Sequence, residues 1–177
     1  MSSGRAEHRT HRRGTARAAA LAVLVGAGCA ARPRQPAATD AALARLASAA
    51  RVDVDGRGVA LETLLAGRAV IYFFRTDCAH CAAGVAAARA LAARPGAPAL
   101  VLVSREGAPR LRAVFGPSPR RNLTVLSDVN GAIMDSAVPT RFVPRIVGVE
   151  RFVVRLDATG DALGLADAVA ALGPASP

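Results

Sequence analysis

The run Ile71-Tyr72-Phe73-Phe74 stops at Arg75-Thr76-Asp77-Cys78-Ala79-His80-Cys81, and a segment made mostly of alanine follows. Few features restrict a fold as tightly as this one. A continuous apolar run of this length reads as a strand covered on both faces, the kind found inside a parallel or mixed sheet. Ala82 to Arg94 reads as a helix, because Ala is the best helix former and Pro95-Gly96 ends it. Cys78 then falls at the strand-to-helix junction and Cys81 in the first helical turn. Unpaired N–H groups and the positive end of the helix dipole face the first sulfur there, and a thiolate is stabilised at such a place. On this reading Cys78 is the attacking thiol and Cys81 the resolving one, the pair alternating between dithiol and disulfide.

Charge is the next constraint. The 177 residues carry a net charge of +10, every basic residue being Arg. Five of these (Arg5, Arg9, Arg12, Arg13, Arg17) precede the first apolar run. The rest are scattered, with short pairs at Arg110/Arg112 and Arg120/Arg121, and no aromatic residues interleave with them. A solvated basic surface is the expectation, and nucleic acid is not an expected partner. A hydrophobic content of 52% is enough for one domain with its own core.

The N-terminus reads as a targeting segment. An arginine-rich stretch leads into the uncharged Ala18 to Ala31, too short to span a membrane and suited to the apolar part of a signal peptide. It ends Val25-Gly26-Ala27-Gly28-Cys29, which resembles a bacterial lipobox, although Gly26 stands where Leu is usual. Residues 1–29 are therefore expected to be a signal peptide and Cys29 a lipidation site. The mature chain would be exported, periplasmic or at the cell surface, and tethered to the membrane through that lipid. Residues 30–39, with Pro33 and Pro36, read as a flexible linker and 40–177 as the domain.

Taken in order, Asp40 to Ala50 is an amphipathic helix with Asp40 as its cap, and Arg51 to Asp55 alternates like a strand. Asp55-Gly56 signals a hairpin into Val59-Ala60-Leu61, and Leu61 to Ala66 makes a further helical turn. After the strand Ala69 to Phe74 and its helix, Ala99 to Val103 is a second buried strand, which implies a parallel, right-handed crossover. Pro109 to Phe115 is helical, Leu123 to Leu126 a short strand, and Asn130 to Ala137 a helical turn or two. Ile146 to Val149 is a strand, Phe152 to Leu156 its hairpin partner, and Ala162 to Leu172 the closing helix.

This α/β layout, a central mixed sheet flanked by helices, resembles the thioredoxin superfamily, and most of all its extracytoplasmic TlpA/ResA-like redoxin branch. The resemblance runs from about Arg51 to Leu172. It rests on the Asp-Gly hairpin, the strand–Cys-x-x-Cys–helix unit, and the insert Leu123 to Val138 with its Leu126-Ser127-Asp128-Val129-Asn130-Gly131 passage. It implies a thioredoxin-like fold with an N-terminal β-hairpin and a TlpA-type insertion. It also implies thiol-disulfide exchange with exported proteins of the cell envelope, with no cofactor beyond the Cys78–Cys81 disulfide. The family places a cis proline opposite the cysteine pair, immediately before a core strand. Pro144 fits, because Ile146 to Val149 follow it. Pro139-Thr140 copies the commonest family dipeptide, but Pro144 would interrupt a central strand starting there.

The chain also departs from the family. Cytoplasmic members bury an acid on the strand six residues before the first cysteine, and Tyr72 stands there. No acidic residue lies between Asp77 and Glu106, so no buried carboxylate is expected beside the resolving thiol. His80 lies between the cysteines, where an imidazole can donate toward the Cys78 sulfur, favour the reduced form and make the disulfide more oxidising. Bacterial disulfide-forming oxidases and isomerases are similar there, whereas tethered TlpA-like proteins resemble reductants, so the net direction stays open. Other chemistries fit less well. Arg75 occupies the position where a peroxiredoxin needs Thr or Ser, and Cys78, His80 and Cys81 alone cannot complete a zinc tetrahedron. A non-enzymatic binding module with a static Cys78–Cys81 disulfide is the alternative.

Overall fold

The computed structural model describes residues 35–49, 51–116, 122–160 and 164–173. The expected signal peptide, the lipidation site Cys29, the first half of the linker and the Arg120/Arg121 pair lie outside the described residues.

β3 (Arg68–Phe73) occupies the middle of the main sheet. β4 (Ala99–Ser104) runs parallel to it on one side, and β6 (Arg145–Glu150) antiparallel on the other. β5 (Leu123–Ser127) and β7 (Val153–Thr159) complete a five-stranded mixed sheet in the order β5-β4-β3-β6-β7. Within β3, side chains alternate between two cores. Ala69, Ile71 and Phe73 face one, and Val70 and Tyr72 the other, joined by Phe74 just beyond the strand's end. Both faces are covered, which is why the strand reads as an unbroken apolar run.

The first core is closed by α1 (Asp40–Ser48), α2 (Leu61–Ala66) and the wide helical turn Ala132–Ala137, through Leu43, Leu46, Leu65 and Ile133. The second is closed by α3 (Ala79–Ala92), α4 (Ala108–Phe115) and α5 (Leu165–Ala171), through Cys81, Ala88, Leu91, Leu111 and Leu165. Each of those aliphatic side chains contributes roughly 1.5–3 kcal/mol when fully buried, and an alanine correspondingly less. A small antiparallel ribbon of β1 (Arg51–Val52) and β2 (Gly58–Val59) precedes α2. The expected α/β class, the mixed sheet and the N-terminal hairpin are therefore all present.

Several expectations need correction. α1 is capped by Thr39, whose side chain accepts from the Ala42 N–H, and not by Asp40. Asp40 instead accepts from the Val154 N–H. The hairpin's return strand is Gly58–Val59, one residue earlier than expected, while α2 spans Leu61–Ala66 as read from the sequence. Residues 35–39, read as linker, are bound to the domain. Gln35 accepts from the Arg141 and Phe142 N–H groups, and the Ala38 N–H donates to Asp157. The β6–β7 hairpin turns on Arg151 and Phe152, with φ of 49° and 64°, where such a turn usually takes Asn or Gly. Their N–H groups donate to Gly67 and Leu65, and Phe152 packs on the first core, which holds the turn in place.

Candidate active site

Cys78 caps α3 with extended backbone angles, and the helix starts at Ala79, three residues earlier than the alanine run suggests. Cys81 is thereby in the first turn, as expected, its N–H donating to the Cys78 carbonyl at 3.0 Å. Both residues are thiols. They sit in contrasting surroundings: Cys78 is half-buried, whereas Cys81 has no solvent exposure. Burial pushes the Cys81 thiol up to about 12, and its contact with Cys78 adds to the rise. A protonated, hidden sulfur thus lies behind an accessible one.

Tyr72 packs directly against this pair. Its position on β3 aims it into the second core, where it is 2% exposed. Its ring stacks on Phe74 with centroids 5.9 Å apart, and its hydroxyl donates to the Cys81 carbonyl at 3.2 Å. The hydroxyl also draws the Cys81 thiol partly back down. Gly84, on the next turn of α3, makes the room: a Cβ there would lie 2.1 Å from the Tyr72 oxygen.

Two carboxylates flank the motif, and both are engaged. Asp77 accepts two hydrogen bonds from Arg75, at 3.0 and 2.7 Å, which hold its carboxyl below the usual range. This exposed ion pair offsets part of the positive charge that Arg75 carries near Cys78. Glu106 is the residue that sequence reasoning missed. It follows β4, whose end lies beside the end of β3 in the parallel ladder. Its carboxylate, 15% exposed, accepts from the Thr76 N–H at 2.8 Å, the Thr76 hydroxyl at 2.6 Å and the Ser104 hydroxyl at 3.1 Å, and pairs with Arg110 at 2.9 Å. Glu106 therefore fixes the turn that delivers Cys78. The signal was its place at the end of a parallel strand, where loops of neighbouring strands meet.

The Val143–Pro144 peptide bond is cis, as the sequence reading expected of Pro144 over Pro139. His80 is exposed on the first turn of α3. His80 and Pro144 line one cleft of about 150 Å³, with Tyr72, Gly84, Ile146 and Leu165 among its other walls. The structure thus brings Cys78, His80 and Cys81 together on α3, and joins His80 to Pro144 across the cleft. Among the described residues no three His, Cys, Asp or Glu side chains converge as a metal site would require.

No protein-family model matches this sequence, and neither does any curated protein. Solved structures do match in fold. The exposed lipoprotein thioredoxin of Streptococcus pneumoniae aligns with a TM-score of 0.55 at 16% identity, covering 67% of this chain and 93% of that one. A secreted disulfide oxidoreductase of Mycobacterium tuberculosis aligns at 0.57 and 18% identity, covering 68% and 89%. The N-terminal domain of PilB from Neisseria gonorrhoeae aligns at 0.53 and 17% identity, covering 72% and 89%. The chain has the thioredoxin-like fold.

Proposed function

We propose that this chain is a thiol-disulfide oxidoreductase working on exported proteins outside the cytoplasm. The observation that carries the reading is the pair of thiols at the start of α3, one accessible and one buried, beside the cleft shared by His80 and Pro144. In the reducing direction the Cys78 thiolate attacks one sulfur of a substrate disulfide, and the other substrate sulfur leaves as a thiolate. Cys81, losing its proton, then attacks the Cys78 sulfur. The second substrate thiolate leaves and the Cys78–Cys81 disulfide remains. Run backwards, the same two steps oxidise a substrate dithiol. No cofactor is needed beyond the cysteine pair. Val143, next to Pro144, presents backbone to an incoming extended peptide, and His80 sets the redox poise from the helix start.

The fold neighbours support this reading, since those described as a thioredoxin and a disulfide oxidoreductase are an exposed lipoprotein and a secreted protein. The tether belongs to the same proposal: Cys29 carries a lipid and becomes the mature N-terminus, which mass spectrometry of the mature chain reads directly. The test of the function is trapping. With Cys81→Ser, Cys78 should stay linked to its natural partner as a mixed disulfide, isolated from the cell envelope and released by dithiothreitol. If Cys81→Ser yields no more mixed disulfide than Cys78→Ser, the proposal fails.

A further inference from the structure

Resolution requires the Cys81 sulfur to carry negative charge inside a core that opposes it. Burial holds the thiol protonated, and the two carboxylates beside the motif are already taken up by Arg75 and by Thr76, Ser104 and Arg110. Beside the Arg75 backbone, which also draws the thiol down, a buried polar group that reaches Cys81 is the Tyr72 hydroxyl. It sits on the same core face, donates to the Cys81 carbonyl at 3.2 Å, and occupies space that any side chain at position 84 would fill. A phenol is suited to the task, because it donates to a thiolate without bringing a charge into the core. Tyr72 also lines the cleft that the exposed His80 shares, which offers protons a route to solvent.

Building on the exchange reaction proposed above, we infer that Tyr72 is the hydrogen-bond donor that stabilises the Cys81 thiolate, rotating its hydroxyl from the Cys81 carbonyl to the Cys81 sulfur as charge develops there. It serves both directions. In reduction it lowers the cost of forming the attacking thiolate of Cys81. In oxidation a substrate thiolate attacks the Cys78 sulfur of the disulfide, Cys81 leaves with the electron pair, and Tyr72 holds that charge until a proton arrives from solvent.

The test uses the reduced full chain carrying Cys29→Ser, so that only the two motif thiols react, and dithiobis-nitrobenzoate, an aromatic disulfide with a coloured thiolate. Attack by Cys78 releases one coloured thiolate, and attack by Cys81 on the mixed disulfide releases the second. Tyr72→Phe keeps the ring and removes only the donor. The first release should stay within about twofold of wild type. The second should slow roughly tenfold, the effect of losing one hydrogen bond to a charged group, and its rate–pH profile should move to higher pH. Gly84→Ala, which displaces the ring, should affect the same step. If both steps slow together with the pH profile unmoved, Tyr72 merely supports the fold and the inference is overturned. It is also overturned if the second step of Tyr72→Phe matches wild type at every pH. A wild-type chain that gives no second release has no resolving cysteine at all, and then the exchange reaction itself falls first.

Discussion

Arg145 grips Asp157 with two parallel hydrogen bonds, Nε to Oδ1 at 2.9 Å and Nη2 to Oδ2 at 2.8 Å, while having no exposure to solvent. The remaining donors reach the Pro139 and Pro36 carbonyls, at 2.7 and 2.9 Å. One guanidinium thereby ties β6, β7, the loop leading to Pro144 and the segment entering the domain. Removing one partner of such a pair leaves a buried charge unmet. Asp157→Ala should lower unfolding free energy by about 3–5 kcal/mol in denaturant melts, whereas loss of an exposed pair such as Arg75–Asp77 should cost at most about 1 kcal/mol.

The same pair fixes a pH dependence. Burial alone would raise the Asp157 carboxyl, but the Arg145 and Ala38 hydrogen bonds hold it below the usual range. A carboxyl held down in the folded state binds protons less than it does when unfolded. Its stabilisation is therefore complete above the ordinary carboxylate pKa of about 3.9 and is lost as pH falls through the folded value. Wild type should lose more stability than Asp157→Asn between neutral and strongly acidic pH. Parallel losses in the two proteins would contradict the assignment.

Alkylation should distinguish the two cysteines. Cys81 is fully buried and its thiol is held at about 12, so at neutral pH iodoacetamide should label Cys78 and leave Cys81 unlabelled in the reduced protein. Equal labelling of both, read by peptide mass spectrometry, would refute this order of attack.

Glu106 should matter to stability and rate together. Glu106→Ala leaves the Thr76 N–H without its acceptor and should cost about 1–3 kcal/mol, with slower reaction at Cys78 because the turn before it loosens. Stopped-flow alkylation and melting on one preparation check both effects.

His80→Pro tests the proposed role of His80 in setting the redox poise: without the imidazole the disulfide should be harder to reduce. About 30 mV corresponds to 1.4 kcal/mol for this couple, so the loss of one hydrogen bond is measurable in a redox buffer. A potential unchanged from wild type would make His80 a bystander.

Much of this arrangement was legible because it is local in sequence. The apolar run announced β3, the alanines announced α3, and the core strand after Pro144 separated it from Pro139. What stayed hidden depends on partners far along the chain. Glu106 meets Thr76 only because β4 lies parallel to β3. Arg145 meets Asp157 only through a β6–β7 register that includes an irregularity at Gly148/Val149. The Arg151-Phe152 turn carries no glycine signal, its positive φ values being held by N–H bonds to Gly67 and Leu65. Thr39 outdid Asp40 as cap by one position, within the usual uncertainty of a helix end. Tyr72 was visible as a departure from an acid, but its reach to Cys81 needed Gly84 opposite, which only the packing reveals.

Whether Cys78 and Cys81 exchange as a pair is decided by an equilibrium redox titration. The full chain carrying Cys29→Ser, so that only the two motif thiols are counted, is equilibrated across series of oxidised-to-reduced glutathione and dithiothreitol ratios and then alkylated and weighed. Dithiol and disulfide should interconvert rapidly and reversibly in a single two-electron step, abolished by either Cys78→Ser or Cys81→Ser. A bond that persists at every ratio, or two thiols that never pair, would contradict such exchange.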